Sequence, residues 1–170
     1  MMPAKRARSG ADAERVMNAV RRLVRALRSS TAAVERSSGI SGAQLFVLRA
    51  LVERPGQSLR ELVAHTLTSQ SSVSEVVAKL VAAGLVTRRT AEQDGRRAVL
   101  SATARGRALS GSSPPAVQAD LVAGLGALPT RTRRTLAEGL EQWLGAAGLE
   151  AVPPSMFFEP KQRPRPARAG

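Results

Sequence analysis

The sequence predicts a mainly α-helical chain interrupted once by a small β-hairpin, and three observations predict it. Apolar residues recur at helical spacing through most of residues 11–147. The period changes only over residues 85–102, where two short strand-compatible runs flank an Asp-Gly pair. Serine or threonine, the residues that cap helix starts, stands ahead of several of the periodic segments.

Residues 1–10 are polar and basic and are expected to be a disordered N-terminus. From Ala11 to about Ser37, Val16, Val20, Leu23 and Leu27 follow at steps of four, three and four, one stripe of an amphipathic helix. Ser37-Ser38-Gly39 ends it, and Ser41 can cap a second helix over residues 42–54. That helix has Leu45, Leu48, Leu51 and Val52 on one side and stops at Pro55-Gly56. Ser58 and Glu61 have capping-box spacing, each able to satisfy a free amide at a helix start. The short helix they open reaches about His65, with Leu59, Leu62 and Val63 inward. Thr68 or Ser69 can cap a fourth helix reaching Ala83, whose apolar set is Val73, Val76, Val77 and Leu80, and Gly84 supplies its stop.

The hairpin is expected over Leu85–Thr90 and Arg97–Ala102, with a charged tip at residues 91–96. Thr103 caps the next helix, which Ser110-Gly111-Ser112-Ser113-Pro114-Pro115 should break or kink. Val117, Leu121, Leu125 and Leu128 form a further stripe. Pro129 suits the first turn of a last helix carrying Leu136, Leu140, Trp143, Leu144 and Ala147 inward. Residues 148–170 hold five of the ten prolines and read as a mostly extended basic tail. Met156, Phe157 and Phe158 form an isolated apolar patch there, for which surface anchoring is preferred over docking on the core or plugging a cavity.

The 170 residues are 43% apolar, a globular composition, with 26 Lys and Arg against 13 Asp and Glu, a net charge of +13. The two ends carry +3 each, so +7 remains on residues 11–158. Such a balance points to a polyanion, nucleic acid first and an acidic membrane surface second. No apolar run approaches the roughly 18–20 residues that span a bilayer. The basic N-terminus is not followed by an apolar stretch, so a cytoplasmic location without membrane association is expected. With no cysteine, no tyrosine and one histidine, disulfides, thiolate metal sites and paired-histidine sites are excluded. His65 reads as a surface or boundary residue. Neither an enzyme, nor a metal, nor a cofactor is expected.

A short helix, a tight connection, a second helix and then a basic hairpin make a winged helix-turn-helix. A major groove admits one helix, which must be polar outward and apolar inward. Residues 69–83 satisfy both demands, with Gln70, Ser71, Ser74, Glu75 and Lys79 outward. Ser69, Gln70, Ser71 and Ser74 are the candidate base-facing residues and Lys79 the candidate phosphate contact. Ser72 and one of Thr68 and Ser69 are better read as caps. In the wing the candidates are Arg88, Asp94, Arg96 and Arg97, since a narrow groove of negative potential attracts arginine. Arg88 and Arg89 also fit a merely solvated strand face.

These residues resemble the MarR family of bacterial regulators. Gly84-Leu85-Val86, Asp94 with Arg96, and Thr103 with Gly106 match its wing signature. Ser58–Val63 and the Val73, Ser74, Val77, Lys79 and Leu80 set are similar to its helix-turn-helix. The resemblance spans roughly residues 12–147 and implies a dimer built from the first and last helices, bound to a pseudo-palindromic operator in double-stranded DNA. It further implies a repressor, released by a small-molecule effector or another signal. Arg96 is then the wing-tip arginine of the minor groove, Asp94 holds it, and Lys79 meets phosphate. The Ser110–Pro115 break falls where relatives carry a continuous helix.

Dimerisation has a second support, because the stripes of residues 16–27, 117–128 and 136–147 cannot all be buried by so small a module. The regions expected are thus the N-terminus 1–10, a dimerisation helix 11–40, the DNA-binding module 41–103, C-terminal dimerisation helices 104–147 and the tail 148–170. A protein-interaction module and an architectural DNA binder without sequence preference stand as alternatives to sequence-specific regulation. Three Phe and one Trp are too few for single-strand stacking platforms.

Overall fold

Serine and threonine caps fix where the helices of the central module begin. Ser41 and Ser58 each accept from the third backbone amide of their helix, while Gln44 and Glu61 reach back to the cap amides, so both starts are complete capping boxes. Ser69 and Thr103 cap in the same way without the reciprocal bond. The computed structural model describes residues 4–91, 94–152, 154, 156 and 157, with side chains from Gly10 onward except those of residues 91–97. The elements are α1 (Ala4–Ser38), α2 (Gly42–Glu53), α3 (Leu59–Thr66), α4 (Gln70–Ala82), β1 (Val86–Ala91), β2 (Asp94–Ala102), α5 (Ala104–Ser112), α6 (Val117–Ala127) and α7 (Thr130–Ala146).

Boundaries differ from expectation at the start of α1 and in the hairpin. The helix α1 begins at Ala4 rather than Ala11, so the expected disordered stretch is helical over residues 4–10. Ala4, Lys5, Arg6, Ala7 and Arg8 are all strong helix formers, and nothing after Pro3 interrupts them until Gly10. The strands also run further into the tip than expected, reaching Ala91 and Asp94.

The core lies around α2, which packs on α1, α3, α4, α5 and β2 and buries Ala43, Leu45, Phe46, Val47, Leu48, Ala50 and Leu51. Leu62 from α3, and Val73, Val76, Val77 and Leu80 from α4, close it from the other side. The antiparallel pair β1–β2 is in register from Val86↔Ala102 to Thr90↔Ala98, with an irregularity between Thr90 and Ala91. A third short segment joins this sheet: Leu100 donates to the Gln57 carbonyl at 2.7 Å, and Gly56 to the Leu100 carbonyl at 3.0 Å. Gln57 is buried, its amide donating to the carbonyls of Ala50 and Arg54 at 2.9 and 2.7 Å. It thereby closes the end of α2 and fixes the start of α3 against β2.

The Thr103-x-x-Gly106 signature has a steric cause. The Thr103 amide and Oγ1 hold the Leu85 and Gly84 carbonyls, and this brings the start of α5 onto the strand entrance. A Cβ at Gly106 would overlap the Leu85 carbonyl oxygen. Gly84, at φ +69°, ends α4 in the left-handed region that a side chain disfavours.

The helix break is present at the expected place. Between α5 and α6, Arg49 Nη2 of α2 donates to the carbonyls of Ser113 (2.8 Å), Pro114 (3.0 Å) and Ser110 (3.4 Å). Ser30 Oγ of α1 donates to the Pro115 carbonyl and accepts from the Val117 amide, both at 3.3 Å. The two prolines remove amides that a continuous helix needs, and side-chain donors from α1 and α2 hold the opened joint instead.

Beyond the module the expected inward faces are not inward in a single chain. Leu136, Leu140, Trp143 and Leu144 of α7 are exposed, and α6 and α7 have no buried residue. The N-terminal half of α1 and one face of α7 border an apolar groove of about 760 Å³, lined by Val16, Met17, Leu136, Leu140 and Trp143 among others. The tail departs from surface anchoring: Met156 is buried and belongs to the core cluster, while Phe157 is half exposed. A flexible thioether can fill an irregular core gap that a rigid phenyl ring cannot enter without strain. Phe158 lies outside the described residues. Among the described residues no helix is long and apolar enough to cross a membrane.

Candidate nucleic-acid interface

The helix α4 separates its faces cleanly. Ser72, Val73, Val76, Val77 and Leu80 are buried, while Gln70, Ser71, Ser74 and Ala78 are exposed. The exposed residues lie one turn apart on the side away from the core, so their side chains project together. They are small or amide-bearing, which allows a backbone to approach a base-pair edge closely.

The structure divides the serines at the helix start. Ser69 is the N-cap, half-buried, its Oγ accepting from the Ser72 amide at 3.3 Å and donating to Ser72 Oγ at 2.9 Å. That decides between Thr68 and Ser69 as the cap, since Thr68 Oγ1 donates to the Thr66 carbonyl at 2.9 Å. Ser71 Oγ sits 3.2 Å from Ser69 Oγ but remains exposed, as do Gln70 and Ser74. The turn before α4 passes through Leu67, whose φ of +51° is rare for a residue with a branched side chain.

Lys79 is half-buried at the edge of this face, its Nζ donating to Glu75 Oε1 at 2.9 Å. The four-residue spacing, acid first and base second, is the sequence signal of such a pair on a helix.

Period-two alternation settles the two wing arginines of β1. Arg88 shares the face of Val86 and points over the gap toward α4, lining a groove of about 370 Å³ with Ser74, Ala78, Val81, Ala98 and Leu100. Arg89 lies on the opposite face, near Thr87, Val99 and Arg107. Of these two arginines, Arg88 is the one adjacent to the exposed face of α4. Asp94, Arg96 and Arg97 lie in β2 by their backbone, and their side chains lie outside the described residues.

His65 is a boundary residue, with Nε2 3.8 Å from Glu53 Oε2 and a buried Nδ1 that has no hydrogen-bond partner among the described residues. Sequence reasoning missed Gln57 and Arg49. A polar residue after Pro-Gly and an arginine within an apolar helix carry no periodic signal, since their partners are backbone carbonyls supplied by the fold.

A capped recognition-type helix packed on a shorter helix, with a two-stranded basic wing beside it, defines a winged helix-turn-helix protein. The sequence pattern of the MarR family matches residues 38–97, from the end of α1 into the second strand of the wing. An HTH-type transcriptional repressor of Mycobacterium tuberculosis is 31% identical over 116 residues, covering 68% of this chain and 84% of that one. A repressor of the same description from Mycobacterium bovis matches equally. The crystal structure of a MarR family transcription regulator, 25% identical, superposes with a TM-score of 0.51 over 84% of this chain and 98% of its own. The transcriptional regulator BldR from Sulfolobus solfataricus, 22% identical, shares the fold with a TM-score of 0.53 over 79% of this chain and 96% of its own. The chain belongs to the MarR family of transcriptional regulators.

Proposed function

We propose that the protein is a homodimeric repressor that binds a pseudo-palindromic operator in double-stranded DNA. One observation carries this reading: the exposed face of α4 presents Gln70, Ser71 and Ser74 beside Arg88 of the wing, while every large apolar residue of α4 but Val81 is turned inward. In this reading Gln70, Ser71 and Ser74 meet base edges in the major groove, Ser69 sets the helix start, and Lys79 and Arg88 meet phosphates. Arg96 at the wing enters the minor groove with Asp94 holding it, an assignment that rests on the family resemblance, and Arg97 adds charge to the same wing. The apolar groove between α1 and α7 supports the dimer, since a second copy can remove it from water. A small-molecule effector that releases the operator is part of the same family-based reading.

The test is a gel shift on duplex fragments from beside the gene, with random duplex as competitor. Specific retention is expected, and equal competition by random duplex would leave an architectural binder. No retention at all would leave a protein-interaction module. Gln70→Ala and Ser74→Ala are expected to lower the specific affinity far more than the random-duplex affinity, by about 1–3 kcal/mol each in discrimination. Arg96→Ala should reduce the slope of log affinity against log salt by roughly one unit. Asp94→Ala should also weaken binding although it removes a repelling charge, and the double variant should be little worse than Arg96→Ala alone.

A further inference from the structure

Glu75 is the one acidic residue of α4 and stands a single turn from Ser71 and from Lys79. It is 40% exposed and lies at the edge of the helix face assigned above to base edges. In a chain of net charge +13, a carboxylate on the surface that approaches phosphate opposes binding through Coulomb repulsion. Docking also strips water from it, and an ionised carboxylate that loses water without gaining donors is costly. A donor in the groove would offset the lost water.

Base chemistry narrows the donor. A carboxylate only accepts. Guanine offers two acceptors in the major groove and thymine an acceptor and a methyl group. Adenine offers the N6 amine beside the N7 acceptor, which repels the second carboxylate oxygen, whereas cytosine offers its N4 amine without an acceptor on its own edge. Lys79 contributes the second half of the arrangement: its ammonium, 2.9 Å from Oε1, holds the carboxylate in one place and offsets part of its charge.

We propose that Glu75 is a specificity-determining residue that accepts a hydrogen bond from the N4 amine of a cytosine in each half of the operator. This rests on the reading of α4 as the base-reading helix. The experiment selects bound duplexes from a library with a randomised centre, using the full-length wild type, Glu75→Gln and Glu75→Ala in parallel, and measures the affinity of each for random duplex. The wild type should favour cytosine at one position per half-site by about tenfold, within the range for a good side-chain–base contact. Glu75→Gln should move that one preference to adenine, because an amide can pair with N6 and N7 together. Glu75→Ala should lose the preference there and nowhere else, while binding random duplex more tightly for want of a negative charge.

If cytosine remains preferred in Glu75→Ala, or the wild type enriches no cytosine that the variants lose, Glu75 is an ordinary surface partner of Lys79 and the proposal is overturned. It is equally overturned if both variants flatten every position together, which would mean that Glu75 places the helix instead of reading a base. The wild-type arm alone tests the underlying reading: a library that emerges unenriched would refute sequence-specific binding itself.

Discussion

The helices α2 and α7 both carry apolar residues at helical spacing, yet α2 buries seven residues and α7 buries none. The same contrast occurs within α1, where Leu27 is 4% exposed and Val16, three turns earlier, 47%. An apolar stripe states that a surface must leave water, and its size sets how strongly, but it does not state which chain will cover it. The module around α2 meets that demand within one chain. The outer helices do not.

The largest effect is expected at α7. Replacing Leu140 and Trp143 together by glutamate should leave the far-ultraviolet spectrum almost unchanged, because neither side chain belongs to the core cluster of the module. Dimer affinity should fall by at least on the order of a hundredfold, since an unpaired buried charge costs about 3 kcal/mol or more. Light scattering across a concentration series reads this directly, and a variant that stays dimeric would place the interface elsewhere.

Within the module the steric limits are tight. Gly106→Ala forces a Cβ against the Leu85 carbonyl, which is backbone and held by Thr103, so neither side can yield cheaply. Urea denaturation should show a loss of about 2–3 kcal/mol, as expected for overpacking. A loss below half of that would mean that the α5 start is loosely seated.

The joint between the two regions should respond less. Arg49→Met keeps much of the apolar stem and removes the donors to Ser110, Ser113 and Pro114. A loss of about 1–2 kcal/mol is expected, because bonds from a charged donor exceed neutral ones and some of these carbonyls can turn to water. The informative readout is the denaturant slope, which should fall if α6 and α7 begin to open separately from the module.

The smallest effect has the opposite sign. Gly124 lies inside α6 with nothing within 4 Å of its missing Cβ, so Gly124→Ala should stabilise the chain by about 0.5–1 kcal/mol. A destabilised Gly124→Ala dimer would show that the partner copy packs closely on α6 at this point.

The features legible along the chain are local ones. The caps at Ser41, Ser58 and Thr103, the buried set Val73, Val76, Val77 and Leu80, the stop at Gly84 and the break before Val117 all depend on residues within a few positions of one another. Hydrogen-bond geometry and the helical period act over that range, so a one-dimensional reading recovers them. The exposed residues of α4 were legible for the same reason, being the complement of its buried stripe. Folding in three dimensions set whatever depends on distant partners: Gln57 bridging to Leu100, Arg49 holding the carbonyls before α6, Met156 entering the core, and Arg88 rather than Arg89 turning toward α4. It also selected which apolar stripes find cover within the chain, since burial depends on the shape of the whole surface and not on the spacing of residues along one helix.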